Sequence, residues 1–414
     1  MKKVELLAPA GDIDKLKYAL NYGADAVYIG GKAFGLRAFA GNFTINEIDA
    51  GVRYAHKKNK KVYLTMNIFP RNNDFEGLNS YLGQLKEIGV DALIVADPGI
   101  ISVIREKYPD FEIHLSTQAN CTNYQSALFW KNQGIKRVVL ARELNLEEIK
   151  EIKDKTQMEI ETFIHGAMCI SYSGRCLLSN YMAGRDSNRG ECAQSCRWNY
   201  NLVEEKRPGE YYPIVQDERG TYVFNSQDMC LFNGLDKILD AGTDSLKIEG
   251  RMKSIYYVST IVRAYRKLID NYYNPAEDFD FNYWRNELEK VSHRPYTTGF
   301  YFGEMEKNSA FTESSTYIQP YDFIGIVREY DPINKMAVIE QRNNFKVGDN
   351  VEVFGPVTGD FNFKIDKIFS ESGFEMDVVP TPKTIVKVPV PYPVRTMDLL
   401  RRESKDGGIR KFID

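Results

Sequence analysis

Four segments of the chain repeat one hydropathic phrase: NYGADAVYIGG from Asn21, EIGVDALIVAD from Glu87, NQGIKRVVLAR from Asn132 and DAGTDSLKIEG from Asp240. Each sets a glycine (Gly23, Gly89, Gly134, Gly242) after an amphipathic stretch and follows it with a short apolar run. That is the pattern of a helix closed by a left-handed cap and continued by a buried strand. In the first unit Leu16, Ala19 and Leu20 share one helical face, with Asp14, Lys15 and Lys17 placed around it. Similar runs predict eight strands: Val4 to Ala8, Ala26 to Gly30, Lys61 to Asn67, Ala92 to Asp97, Glu112 to Gln118, Arg137 to Arg142, Glu159 to His165 and Ser245 to Glu249. Eight strands with helical crossovers over roughly 250 residues predict an α/β fold of the (β/α)8 TIM-like barrel type. An open doubly wound sheet is the alternative architecture. The last barrel helix is predicted over Ile255 to Tyr273, where Val258, Ile261, Val262, Tyr265 and Leu268 recur at helical spacing.

The barrel is expected over residues 1–273, with a Cys-rich insertion, residues 166–235, between strands seven and eight. A connecting segment, 274–318, contains SHRPYTTGFYFGE. From there the period shortens to β runs at Phe323 to Arg328, Met336 to Gln341, Asn350 to Phe354, Phe363 to Phe369, Phe374 to Val379 and Thr384 to Val388, separated by turn signals such as Asp331-Pro332 and Ser372-Gly373. These predict a small C-terminal antiparallel β-barrel domain, 319–400, followed by a basic tail, 401–414. Such barrels bind oligonucleotides or serve as packing modules.

No window approaches a membrane span and the N-terminus reads as no signal peptide, so a cytoplasmic protein with reduced thiols is expected. The net charge of -3 removes the overall basic signature of many nucleic-acid binders. Any RNA contact must then be local. Candidate patches are Arg251, Lys253, Arg263, Arg266 and Lys267, then Arg401, Arg402, Lys405, Arg410 and Lys411, which otherwise read as a solvated helix face and a frayed terminus.

Barrel chemistry sits at the C-terminal strand ends, and here those ends are polar: Met66-Asn67, Asp97, Thr117-Gln118, Arg142-Glu143, His165, and Lys247 with Glu249 and Arg251. The insertion would cover the same mouth. It carries most of the six cysteines, Cys121, Cys169, Cys176, Cys192, Cys196 and Cys230, spaced from Cys169 onward by six, fifteen, three and thirty-three residues. They stand among Gly, Ser, Asn and Arg, where a thiol is little use for packing. Paired Cys-x2-Cys spacings of structural zinc are absent, and irregular spacing suits an iron-sulfur cluster better. No His-Glu-x-x-His or Gly-x-Ser-x-Gly motif supports a standard protease; a Cys169/His165 nucleophile pair is the remaining hydrolytic arrangement.

ETFIHGAMCISYSGRCLLS from Glu161, with NRGECAQSCRW, NSQDMC and LKIEGRMKS, resembles the signature blocks of the collagenase-like peptidase family U-32. The C-terminal β domain is similar to that of the branch containing prephenate-dependent tRNA hydroxylation proteins. The resemblance implies oxygen-independent formation of 5-hydroxyuridine at the tRNA wobble position, with prephenate as co-substrate and a [4Fe-4S] cluster. Carried over by motif, the cluster ligands are Cys169, Cys176, Cys192 and Cys230; Cys196 competes with Cys230, and Cys121 is structural. Arg37, Arg142, Arg175 and Arg251 are candidates for the prephenate carboxylates, since guanidinium groups bind carboxylates bidentately. His165, Glu249 and Tyr172 are candidates for catalytic proton handling. Trp198, Tyr200 or Tyr296 would stack on a splayed base. Implied partners are tRNA, prephenate and a second subunit, as a homodimer or a heterodimer with a family paralogue. The competing readings are a peptidase and a non-catalytic RNA-binding subunit.

Overall fold

The computed structural model describes residues 3–32, 42–169, 171–197, 215–217, 220–222, 227–303 and 318–404. Eight parallel strands, Glu5–Pro9, Ala26–Gly30, Lys61–Met66, Ala92–Val95, Ile113–Leu115, Arg137–Val139, Glu159–Ala167 and Ser245–Ile248, pair in chain order. The last pairs with both the first and the seventh, through Ser245↔Glu5 and Ser245↔Glu161, so the sheet closes and the open alternative is excluded. Helices cross over between them, most begun where the sequence offers an acceptor: Asp12, Thr44, Asp97, Asn123, Asn145 and Ser254 all cap a helix N-terminus. The four repeated glycines all adopt positive φ, as the phrase predicted. The final barrel helix spans Ile255–Tyr273. No helix among the described residues is long and apolar enough to cross a membrane.

The barrel interior is divided. Leu7, Ala26, Tyr28, Tyr63, Ala92 and Ile94 form an apolar cluster of their own on one side, while their strand neighbours Leu6, Val27, Ile29 and Leu93 pack outward under the helices. On the other side Arg137 lies 2.5 Å from Glu5, 3.0 Å from Glu159 and 3.2 Å from Glu161, and Lys247 lies 2.7 Å from Glu161.

A bulge between Phe163 and His165, opposite Lys247 and Ile248, interrupts the alternation of the seventh strand. Beyond it the chain enters the insertion, and a short strand, Asp228–Cys230, returns antiparallel to the seventh with Cys230 opposite His165. Helix Leu235–Asp240 then leads into the eighth strand.

The C-terminal domain is an eight-stranded antiparallel half-barrel sheet, in which Leu399–Glu403 lies between Tyr321–Asp331 and Asn350–Phe354. That strand corrects the expected basic tail: Arg401 and Arg402 belong to the sheet, and Arg401 is 0% exposed. Its guanidinium bonds Glu287 of helix Phe281–Glu289 and Glu352 of the sheet. Arg263, also expected on an open face, pairs with Asp360, and Arg266 with Asp25 and Asp270. Two of the candidate RNA-contact residues, Arg263 and Arg401, therefore fasten the C-terminal domain to the preceding helices, helped by Tyr256 stacked on Phe323 and by Tyr22 donating to the Met397 carbonyl. Lys405, Arg410 and Lys411 lie outside the described residues.

Candidate functional site

A cavity of about 500 Å³ opens at the C-terminal ends of the barrel strands beneath the insertion. Its floor is made by Tyr28, Thr65, Ile94, Phe163 and Lys247, and Asn67, Ser116, Gln118, Arg142, Glu249 and Arg251 stand around it. Arg251 is 4% exposed. It reaches across the mouth to donate to Thr65 Oγ1 at 2.9 Å and Asn42 Oδ1 at 3.2 Å. Gly30 makes room for this, because a Cβ there would collide with the guanidinium. Arg142 donates to the Ala167 carbonyl at 3.0 Å and to Ser173 Oγ at 3.1 Å, with its guanidinium 5.3 Å from the Phe163 ring centroid. Glu249 accepts from the Tyr28 hydroxyl at 3.0 Å.

The insertion is tied down over this mouth. Arg189 forms a bidentate pair with Asp74, at 2.8 and 2.9 Å, on the loop that follows the third strand. Those hydrogen bonds lower the Asp74 carboxyl to about 2. Asn120 donates to the Ser173 carbonyl, Ser187 to that of Cys176, and Ser179 Oγ links the Arg185 carbonyl to the Ala193 amide.

Cys169, Cys176, Cys192 and Cys196 all line the cavity, and none is in a disulfide. Among the described residues no three cysteine sulfurs lie within 4.8 Å of one another. A single tetrahedral ion would hold its sulfurs about 3.8 Å apart, whereas a polynuclear cluster spreads its thiolates wider. Four thiols around one cavity are a donor set that fits a thiolate-ligated metal group. Cys230, expected as the fourth ligand, does not line the cavity. It is buried with Sγ 3.9 Å from the Tyr265 hydroxyl, and desolvation pushes its thiol up. Cys121 is fully buried, as expected of a structural thiol.

Other expected residues fall elsewhere. His165 is 1% exposed among the rings of Tyr257, Tyr265 and Tyr296, and burial lowers it to about 3. The bulge is the cause: Phe163 lines the cavity, and the extra residue Ile164 sends His165 to the opposite side of the strand. None of the four histidines lines the cavity, so Cys169 and His165 form no nucleophile pair. Tyr172 and Arg175 are exposed and do not line it. Tyr296 is stacked on His293 at 4.3 Å and is no free platform for a base. Asp97 serves as a helix cap. Arg37, Trp198 and Tyr200 lie outside the described residues. The sequence reading passed over Tyr28, Thr65, Ser116, Phe163 and Arg185, which line the cavity. Period-2 alternation in the strands was the signal for the first, second and fourth of these.

Two family profiles match the chain: Peptidase family U32 over residues 11–310 and Peptidase family U32 C-terminal domain over residues 319–401. The chain is 46% identical over 402 residues to the tRNA hydroxylation protein P1 of Bacillus subtilis (strain 168), covering 97% of this chain and 95% of that relative. It is 37% identical over 436 residues to the tRNA hydroxylation protein P of Escherichia coli (strain K12), covering 94% of each. With the 23S rRNA 5-hydroxycytidine C2501 synthase of the same organism it shares 39% identity over 268 residues, 65% of this chain and 39% of that relative.

Proposed function

The chain belongs to peptidase family U32, and from that premise we propose that it is an RNA-modifying enzyme that hydroxylates tRNA, forming 5-hydroxyuridine at the wobble position. In this reading prephenate is the co-substrate, molecular oxygen is not required, and an iron-sulfur cluster is held by cysteines of the insertion. The observation that supports it is the gathering of four cysteines outside any disulfide and the buried Arg251 around one cavity at the barrel mouth. The two tRNA hydroxylation proteins compared above match 97% and 94% of this chain, against 65% for the 23S rRNA synthase, which favours tRNA over ribosomal RNA.

Cys169, Cys176 and Cys192 are three of the ligands. The fourth is Cys196 by its place in the cavity or Cys230 by motif, and iron content of the two serine variants decides between them. A bound cluster supplies one-electron redox chemistry. Arg142 and Arg251 bind and orient the prephenate carboxylates by charge-assisted hydrogen bonds. Glu249, whose Oε2 accepts from Tyr28, takes or holds a proton at that oxygen. The insertion covers the mouth and excludes bulk water, which strengthens each of these interactions.

The test combines two measurements. Nucleoside mass spectrometry of tRNA from cells lacking the protein should show 5-hydroxyuridine missing and restored by this chain alone. Anaerobically purified protein should carry iron and sulfide, lost in Cys176→Ser. Restored nucleoside without bound iron would remove the cluster from the account. Failure to restore it without a paralogue would favour the RNA-binding subunit. A peptidase reading has less support, since no histidine lines the cavity beside a thiol.

A further inference from the structure

Interiors of (β/α)8 barrels are filled mainly by branched apolar side chains, and removing a charge from water costs several kcal/mol before any partner is found. This barrel nevertheless buries Arg137, Glu161 and Lys247, in one network with the partly buried Glu5 and Glu159. Arg137 serves three carboxylates, while Lys247 pairs with Glu161 alone in that network. Of the five, Lys247 is the member that lines the cavity.

An ammonium has three donors. One of those on Lys247 goes to Glu161 Oε1 at 2.7 Å. The nitrogen stands 4.7 Å from the Tyr28 ring centroid and 5.4 Å from that of Phe163, and both rings line the same cavity. Aromatic walls on two sides keep water away from the charge and leave its remaining donors to whatever enters. The cavity as a whole is cationic: the charged side chains lining it are Arg142, Arg185, Lys247, Arg251, Lys253 and one carboxylate, Glu249. A concave site with that balance concentrates anions. Lys247 and Arg251 are both at least nine-tenths buried, at 5% and 4% exposed, so each would meet an anion with little water between.

We propose that Lys247 and Arg251 form a two-cation subsite for a small organic dicarboxylate, with Lys247 gripping one carboxylate at the cavity floor and Glu161 acting as the positioning residue that keeps the ammonium extended. The inference rests on the reading above that prephenate enters this cavity, and it adds the residue that would hold the end lying deepest in the barrel.

Isothermal titration of prephenate into the full-length protein without RNA tests it, with malonate as a smaller, unreactive probe. The variant is Lys247→Met combined with Glu161→Gln, which removes both members of the pair and leaves no newly unpaired carboxylate. Affinity for both ligands should fall at least tenfold, with iron content and thermal midpoint close to wild type. Lys247→Arg should retain most of the affinity. Prephenate bound equally well by wild type and double variant would overturn the subsite and leave the co-substrate reading standing. Malonate bound through Lys247 with no binding of prephenate would keep the subsite and remove prephenate. Wild-type protein that binds neither ligand overturns both.

Discussion

Two buried charge networks hold this molecule, and they are built alike but placed differently. In the barrel, Arg137 gathers Glu5, Glu159 and Glu161, and the chain of charges ends in Lys247 at the cavity floor. Between the domains, Arg401 gathers Glu287 and Glu352, which Lys290 also contacts at 2.7 and 3.0 Å. Its guanidinium is roofed by Phe354, 4.4 Å away, and Tyr321, 5.5 Å away. Each network carries a desolvation cost. The interdomain one holds two bodies in register, whereas the barrel one presents a cation to the cavity. The close approach of Glu287, Glu352 and Asp360, which could pass for a metal site, belongs to the fastening: Arg401, Lys290 and Arg263 neutralise it.

Arg137→Met should break the comparison most severely. It strips three carboxylates of their common partner, so a loss of at least about 5 kcal/mol is expected, above the usual cost of breaking one buried pair. Urea denaturation would measure it, and a shift as small as that of an exposed pair would mean the interior network is loosely coupled. Next comes Arg401→Met, expected to cost about 3–5 kcal/mol. Here prephenate affinity per folded molecule should stay at the wild-type value, and a parallel loss of affinity would show the two networks communicating.

A smaller effect separates the networks by pH. His114 lies beside the barrel network, buried against the Tyr63 ring edge and bonded to Glu112. Desolvation lowers its pKa below the ordinary 6.5 despite the opposing pull of Glu112. Below about 6.5 the unfolded chain takes up a proton that the folded chain refuses, so folding stability falls as pH drops from there toward the lowered value, by at most about 1.4 kcal/mol per unit. His114→Gln should flatten that slope between pH 6.5 and 5. The Arg401 network has no histidine among the members named above and should contribute nothing in this range. The smallest expected change in global stability is that of Arg189→Ala, under about 1 kcal/mol for a partly exposed pair. Faster hydrogen exchange in the insertion, without a change in the barrel, would be its signature.

Most of the barrel was legible because its signals are local. A glycine cap followed by an apolar run needs only ten residues to declare itself, and the helix Ile255–Tyr273 was readable from its own period. The placement of thiols over the mouth followed from strand order alone. His165 was misplaced because one additional residue in a strand inverts every later side chain, and nothing in FIHGA marks the bulge. Arg401 was misread because charge is ordinarily the mark of a solvated surface, and its partners Glu287 and Glu352 are far away in sequence. The inward charges were visible in part: Glu159 and Glu161, and Ser245 and Lys247, alternate on one face of strands predicted to be buried.

The short strand that returns against the seventh stave has a broader implication. Because Asp228 pairs opposite Ala167, the long excursion that carries the thiols departs and returns within about one strand spacing, about 4.8 Å. Ring-closure entropy grows only with the logarithm of chain length. Such an excursion can lengthen, shorten or change its chemistry at little expense to the cylinder beneath, which makes this seam the natural place for the scaffold to diversify.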